Sequence, residues 1–147
     1  MQKKFILIIV TFINQAILIS ANEDLTFLYS SIHQLRDNLR LEKLEIDKTL
    51  EMVAKEYAIS LNENKVLTHT LFGTTPIQRV KKHDKYFCRV REILAYGMEV
   101  RDVTGAWLNS PSHKEALLNK DTSKMGGYIL QTPKKENIFI VIFGEKF

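Results

Sequence analysis

The stretch Trp107-Leu-Asn-Ser-Pro-Ser-His-Lys-Glu-Ala-Leu-Leu-Asn119 decides how this chain is read. It holds the only tryptophan, a Ser-Pro break, and a histidine that opens a second short apolar run. An indole buried in a core anchors the segment that carries it. A proline four residues later ends the helix and redirects the chain. His113 is thereby set at the rim of a pocket. Upstream, His69 and Glu92 are the polar residues able to join it.

Working outward, Val100, Val103, Thr104 and Trp107 mark a helix that Pro111 terminates. Ser112 suits the cap of a shorter helix through Leu118. Gly126-Gly127 opens a strand that runs to Gln131, and Asn137 to Phe143 is a second, strongly β-prone strand. Thr132 to Glu136 joins the two as a hairpin. Cys88 to Tyr96, rich in β-branched and aromatic residues, is a third strand. Toward the N-terminus, Leu25, Leu28, Ile32, Leu35 and Leu39 recur at helical spacing, and Leu41 to Ile46 is a short connection. Asp47 then caps a helix whose apolar face carries Leu50, Val53, Ala54, Tyr57, Ala58 and Leu61, and which ends near Asn62 to Asn64. Thr75-Pro-Ile-Gln78 is a capping box with proline at the first helical position. Helices followed by strands and a terminal hairpin predict an α+β domain with an antiparallel sheet, not repeated βαβ units.

Composition bounds the function. The chain has 147 residues, 45% hydrophobic and 26% charged, enough for one domain with its own core. Its net charge is +4, two of which come from Lys3 and Lys4. The remaining basic residues are interleaved with acids, so the charge pattern does not point to nucleic acid. Cys88 is the only cysteine, which excludes an intramolecular disulfide, and its surroundings suit a small buried hydrophobe.

Residues 1–21 read as an export signal. Lys3 and Lys4 form the basic end, Phe5 to Ile19 is mostly apolar, and Ser20-Ala21 supplies small residues for cleavage. Removal would leave one domain, 22–147, with no membrane span; the alternative is an uncleaved anchor, since Ile19 suits the third position before the cut poorly. The protein is therefore expected outside the cytoplasm: secreted, periplasmic or on the outer surface.

These residues resemble the CAP superfamily of cysteine-rich secretory, antigen 5 and pathogenesis-related proteins, also called the SCP domain, in its compact bacterial form. The family's Leu-Ser-His segment stands here as Leu67-Thr68-His69, its following arginine as Arg79, and its Gly-Tyr as Tyr86 alone. Its Glu-Asn-Ile-Ala-x-Gly strand end stands as Glu92-Ile-Leu-Ala-Tyr-Gly97. Its Trp-x-Asn-Ser-Pro-Gly-His block is Trp107 to His113, continuing to Asn119, and its closing Phe-Gly is Phe143-Gly144. The resemblance covers nearly all of the mature chain. It implies a three-layer α-β-α sandwich with a cleft formed by His69, Glu92 and His113. Many eukaryotic members carry a second cleft glutamate where this chain has Ser110. Arg91, Ile93 and Ser112 also replace the family's glycine, asparagine and glycine.

Two imidazoles and a carboxylate are a first shell suited to zinc, with water completing it. Left unligated, Glu92 is the candidate general base. The alternative is architectural: His69 and His113 hydrogen-bond Glu92 and pin three segments together. No serine or cysteine nucleophile is identifiable. Two functions follow from the resemblance. One is a non-enzymatic exported binding module for a lipid or sterol, or for an envelope or host-surface protein. The other is a metal-dependent hydrolase of peptides or envelope polymers that uses His69, Glu92 and His113.

Overall fold

The computed structural model describes residues 22–147. The expected export signal, residues 1–21, lies outside the described residues. The elements run α1 (22–38), β1 (Glu45–Ile46), α2 (Lys48–Asn64), a 3-10 turn (Leu71–Gly73), α3 (Pro76–Lys81), β2 (Phe87–Tyr96), α4 (Val100–Leu108), α5 (Pro111–Leu118), β3 (Lys124–Gln131) and β4 (Asn137–Lys146).

The sheet order is β1-β3-β4-β2. Antiparallel pairing holds across β3, β4 and β2, with Glu92 opposite Ile142 and Gly126 opposite Ile142 on the other side. The two-residue β1 pairs in parallel with β3. The sheet is therefore mixed at one edge, and the expected connection at 41–46 contains a strand.

β4 shows why the domain has three layers. Side chains alternate across a strand, and β4 is apolar on both faces. Phe139, Val141 and Phe143 join a core with Leu28 and Ile32 of α1, Val103 and Trp107 of α4, and Ala116 and Leu117 of α5. Ile138, Ile140 and Ile142 join the opposite core with the apolar face of α2 and Val80 of α3. Helices cover both faces, as the expected α-β-α sandwich requires.

Local signals explain most boundaries. Asp47 Oδ1 accepts from the backbone N–H groups of Thr49 and Leu50 at 2.9 and 3.2 Å, capping α2. Thr75 and Gln78 bond reciprocally at the start of α3. Gly126 is required because β3 crosses α2 closely: a Cβ there would lie 2.4 Å from the backbone nitrogen of Glu51.

One boundary differs from expectation. Pro111 does not itself terminate α4, which ends at Leu108 with Asn109 as its C-cap. Pro111 instead occupies the first turn of α5, Ser110 is the N-cap, and Ser112 lies inside that turn. A proline lacks the N–H that a first-turn residue leaves unpaired, so it opens a helix at no cost. The strands are also longer than their strongest β-formers: β3 begins at Lys124 and β4 continues to Lys146.

Candidate functional site

β2 is an edge strand, and Glu92 lies midway along it. It shares a strand face with Leu94, which packs in the α2 and α3 core, so its carboxylate points toward those helices. Its side chain has no exposed surface. A buried carboxylate needs partners, and both oxygens have one. Arg79 of α3 donates from Nη2 to Oε2 at 2.6 Å. His69, in the segment between α2 and the 3-10 turn, donates from Nδ1 to Oε1 at 2.9 Å.

Arg79 is the hub of this arrangement. Its Nη1 also donates to the backbone carbonyls of His69 (3.0 Å) and Thr74 (2.8 Å). Its guanidinium stacks 3.5 Å from the Tyr57 ring centroid. The Tyr57 hydroxyl in turn donates to Thr68 O at 2.6 Å and accepts from Leu71 N at 3.1 Å. One arginine and one tyrosine therefore hold the whole 68–74 segment, and with it His69.

His113 comes from the other helical layer. It lies in α5, whose Ala116 and Leu117 pack on the α1 and α4 side. The free edge of β2 is where the two layers can meet. Burial lowers the His113 pKa, and repulsion from the nearby His69 lowers it further. His113 nevertheless makes no hydrogen bond to Glu92 or His69. The structure thus joins His69 and Glu92 directly and leaves His113 beside them. Among the described residues, no three His, Cys, Asp or Glu side chains gather where they could hold one metal ion. As the side chains stand, His69, Glu92 and His113 do not converge as a three-ligand set: Glu92 Oε1 accepts from the His69 ring and Oε2 from Arg79.

His33 bonds the backbone carbonyl of Leu44 at 3.0 Å, and burial lowers its pKa too. His83 pairs with Glu56 at 3.1 Å. Neither belongs to the cleft. A histidine whose folded pKa is depressed loses stability as pH falls from its unfolded value through its folded one. His33 and His113 both fit this case. Thermal stability is therefore expected to fall on acidification from pH 7.5 to 5, with a shallower fall in His113→Gln. Melting curves across that range check it, and a flat or rising profile below pH 6.5 overturns it.

Trp107 is a core anchor. It is 2% exposed, donates from Nε1 to Leu94 O at 2.9 Å, and meets Phe139 edge to face. That bond occupies a carbonyl on edge strand β2 and fixes α4 against it. The Trp107–Asn119 block thus sets where His113 starts. The sequence signals missed Tyr57, read only as part of an apolar face, and gave Arg79 no role. A tyrosine on an apolar helix face, with a histidine and an arginine downstream, is the pattern that could have found them.

The family model for the cysteine-rich secretory protein (CAP) family matches residues 29–143. A protein of Borreliella burgdorferi described as uncharacterized is 55% identical over 150 residues, covering 98% of this chain and 97% of its own length. The structure of an outer surface protein from Borrelia burgdorferi is 59% identical, covers 86% of this chain and 96% of that one, and superposes with a TM-score of 0.85. A cysteine-rich secretory protein from Staphylococcus aureus is 21% identical with a TM-score of 0.72, covering 86% of this chain and 39% of that one, a likeness of fold alone. No helix among the described residues is long and apolar enough to cross a membrane. The sandwich, the edge strand carrying Glu92, and the Trp107–Asn119 block are those of one lineage: the chain belongs to the cysteine-rich secretory protein (CAP) family.

Proposed function

We propose that this chain is an exported binding module that holds a partner at the cell surface and catalyses nothing. The carrying observation is the state of Glu92. It is fully buried, and both oxygens are bound, by Arg79 at 2.6 Å and His69 at 2.9 Å. A general base must offer a free lone pair to the proton it removes, and a zinc ligand must offer one to the metal. With no exposed side-chain surface, Glu92 presents its remaining lone pairs to neither, and opening the site would break a buried ion pair, a loss of about 3–5 kcal/mol. The surface location rests on the outer surface protein that is 59% identical.

A lipid or sterol partner has its own supporting observation. A groove of about 660 Å³ lies between the end of α2 and the β3–β4 hairpin, lined by Leu61, Val66, Leu67, Tyr96, Pro133 and Ile138. That volume is within the range of small-molecule sites, and its lining is mostly apolar.

The exported chain is expected to retain a surface protein or a lipid in pull-downs and lipid arrays, and to turn over neither peptides nor envelope polymers. Retention of nothing would sink the proposal. Calorimetric uptake of one zinc per chain at neutral pH, lost in His69→Ala and His113→Ala and accompanied by peptide cleavage, would establish the hydrolase instead.

A further inference from the structure

The sheet has two edges, and only one is long. β1, two residues, closes one side, and β2, ten residues, lies on the other with β4 as its one strand neighbour. Short edge strands are a common protection against stray pairing. β2 is not protected in that way.

Two hydrogen bonds fix the direction of its backbone groups. In an antiparallel ladder the N–H and C=O of one residue point the same way, and successive residues alternate. Gly97 N bonds Asn137 O of β4 at 2.9 Å, so the odd-numbered positions past the irregularity at 87–89 face β4. Leu94 O instead accepts from Trp107 Nε1, so Leu94, Glu92 and Val90 face the free edge. Trp107 closes that edge at Leu94. The N–H and C=O groups of Val90 and Glu92 remain, and they bond no partner among the described residues.

Water reaches this stretch. The Glu92 side chain has no exposed surface, yet the residue as a whole is half-buried, so the surface it shows is main chain. The long side chains beside it lean away from the edge. Arg89 and Arg91 both reach toward Glu145 of β4, at 3.4 and 3.5 Å.

We propose that residues 89–93 of β2 dock a short extended segment of a partner polypeptide, which adds to the sheet through Val90 and Glu92. This rests on the binding-module reading and names its partner's chemistry. Donor and acceptor pairs that recur about every 7 Å match the backbone of another strand, and an acyl chain offers no such ladder. Five residues span about 17 Å, so the docked segment is short. A second copy of this chain does not fit. Any two-fold register that pairs Val90 or Glu92 with itself or with each other sets Leu94 opposite residues 86–90 of the other copy, where Trp107 already stands. A peptide can end there; a strand inside a folded domain cannot.

NMR and fluorescence anisotropy test it with labelled six-residue peptides rich in threonine and valine. In the free protein the Val90 and Glu92 amides should exchange faster than those of Arg91 and Ile93, which face β4. Saturable binding should slow both edge amides. N-methylation of alternate peptide nitrogens is the discriminating probe. On nitrogens that face the edge it should weaken binding about tenfold or more, and on the others by less than about twofold. Val90→Pro removes one edge donor where proline is tolerated, and should also weaken binding about tenfold. Val90 packs partly against the core, so the methylated peptides decide the matter if that variant does not fold. No binding at millimolar peptide, or equal weakening by both methylation patterns, overturns the edge. A parent chain that dimerises with both edge amides slowed overturns it in favour of a second copy. Mass spectrometry of the recovered peptide separates the two levels of failure. Cleavage lost in His69→Ala sinks the binding-module reading itself, whereas intact, unbound peptide sinks only this edge.

Discussion

The Glu92→Ala variant is expected to lose about 3–5 kcal/mol of folding stability, or about 10–20 °C in Tm. The cost arises from what the carboxylate leaves behind. Arg79 is 90% buried by its side-chain exposure of 10%, and removing Glu92 strands its charge in the interior. Burial of an unpaired charge costs more than the pair itself contributes, because the pair first had to be desolvated. Glu92→Gln keeps the shape and one acceptor, so it should lose less. Replacing both partners with apolar residues, Arg79→Met with Glu92→Leu, should recover part of the loss. Urea titrations of the four proteins at neutral pH give the comparison. A Glu92→Ala loss under about 1 kcal/mol would show that the pair is not an architectural element, and the argument against catalysis would fall with it.

Arg36→Ala should cost a similar amount, about 3–5 kcal/mol, at a place far from the cleft. Arg36 has no exposed surface. Its guanidinium donates to three backbone carbonyls: Glu42 O at 2.9 Å, Leu117 O at 2.9 Å and Asn119 O at 3.0 Å. No carboxylate lies within ion-pair distance of it among the described residues. Burial accordingly lowers its pKa from the usual arginine value. The last carbonyls of a helix have no partner within that helix and carry partial negative charge. Arg36 supplies both a partner and a charge at the end of α5, where the Asn119 side chain instead bonds Asp121 N. Truncation orphans these carbonyls and leaves a cavity. Arg36→Lys keeps a charge but lacks the fork that reaches three acceptors, so it should remain clearly destabilised. Equal melting temperatures for Arg36→Lys and the parent would refute the capping role.

How much of this could be read from residues alone depends on the range of the interaction. Asp47 at the head of α2 and the Thr75–Gln78 box were legible because capping acts over three residues. The helical face from Leu50 to Leu61 was legible because its period is local. The Pro111 boundary was misplaced because proline both ends a helix and opens one, and the sequence does not say which. β1 was hidden because two residues show no alternation, and its partner, β3, begins 79 residues later at the Glu45–Lys124 pairing. In the cleft, the residue types were legible through the Trp107–Asn119 resemblance, but their wiring was not. Glu92 and His69 could be nominated; that Arg79 would take one oxygen depended on α3 docking beside β2. Arg36 gave no signal, because a buried arginine and a solvated one look alike on an amphipathic helix.

The strand order carries a consequence for how the molecule forms. β4, at residues 137–146, is flanked by β3 and β2, and it contributes to both cores. Neither β2 nor β3 has an antiparallel neighbour until β4 arrives. A chain that ends before β4 therefore has helices but only the short β1–β3 pairing; β3 then closes on β4 through the local turn at 132–136, whereas β2 must reach β4 across a much longer loop, as Glu92 does to Ile142, and such contacts close more slowly. The three-layer packing therefore cannot close until residues 137–146 are available, because the last strand is the one that both helical layers cover.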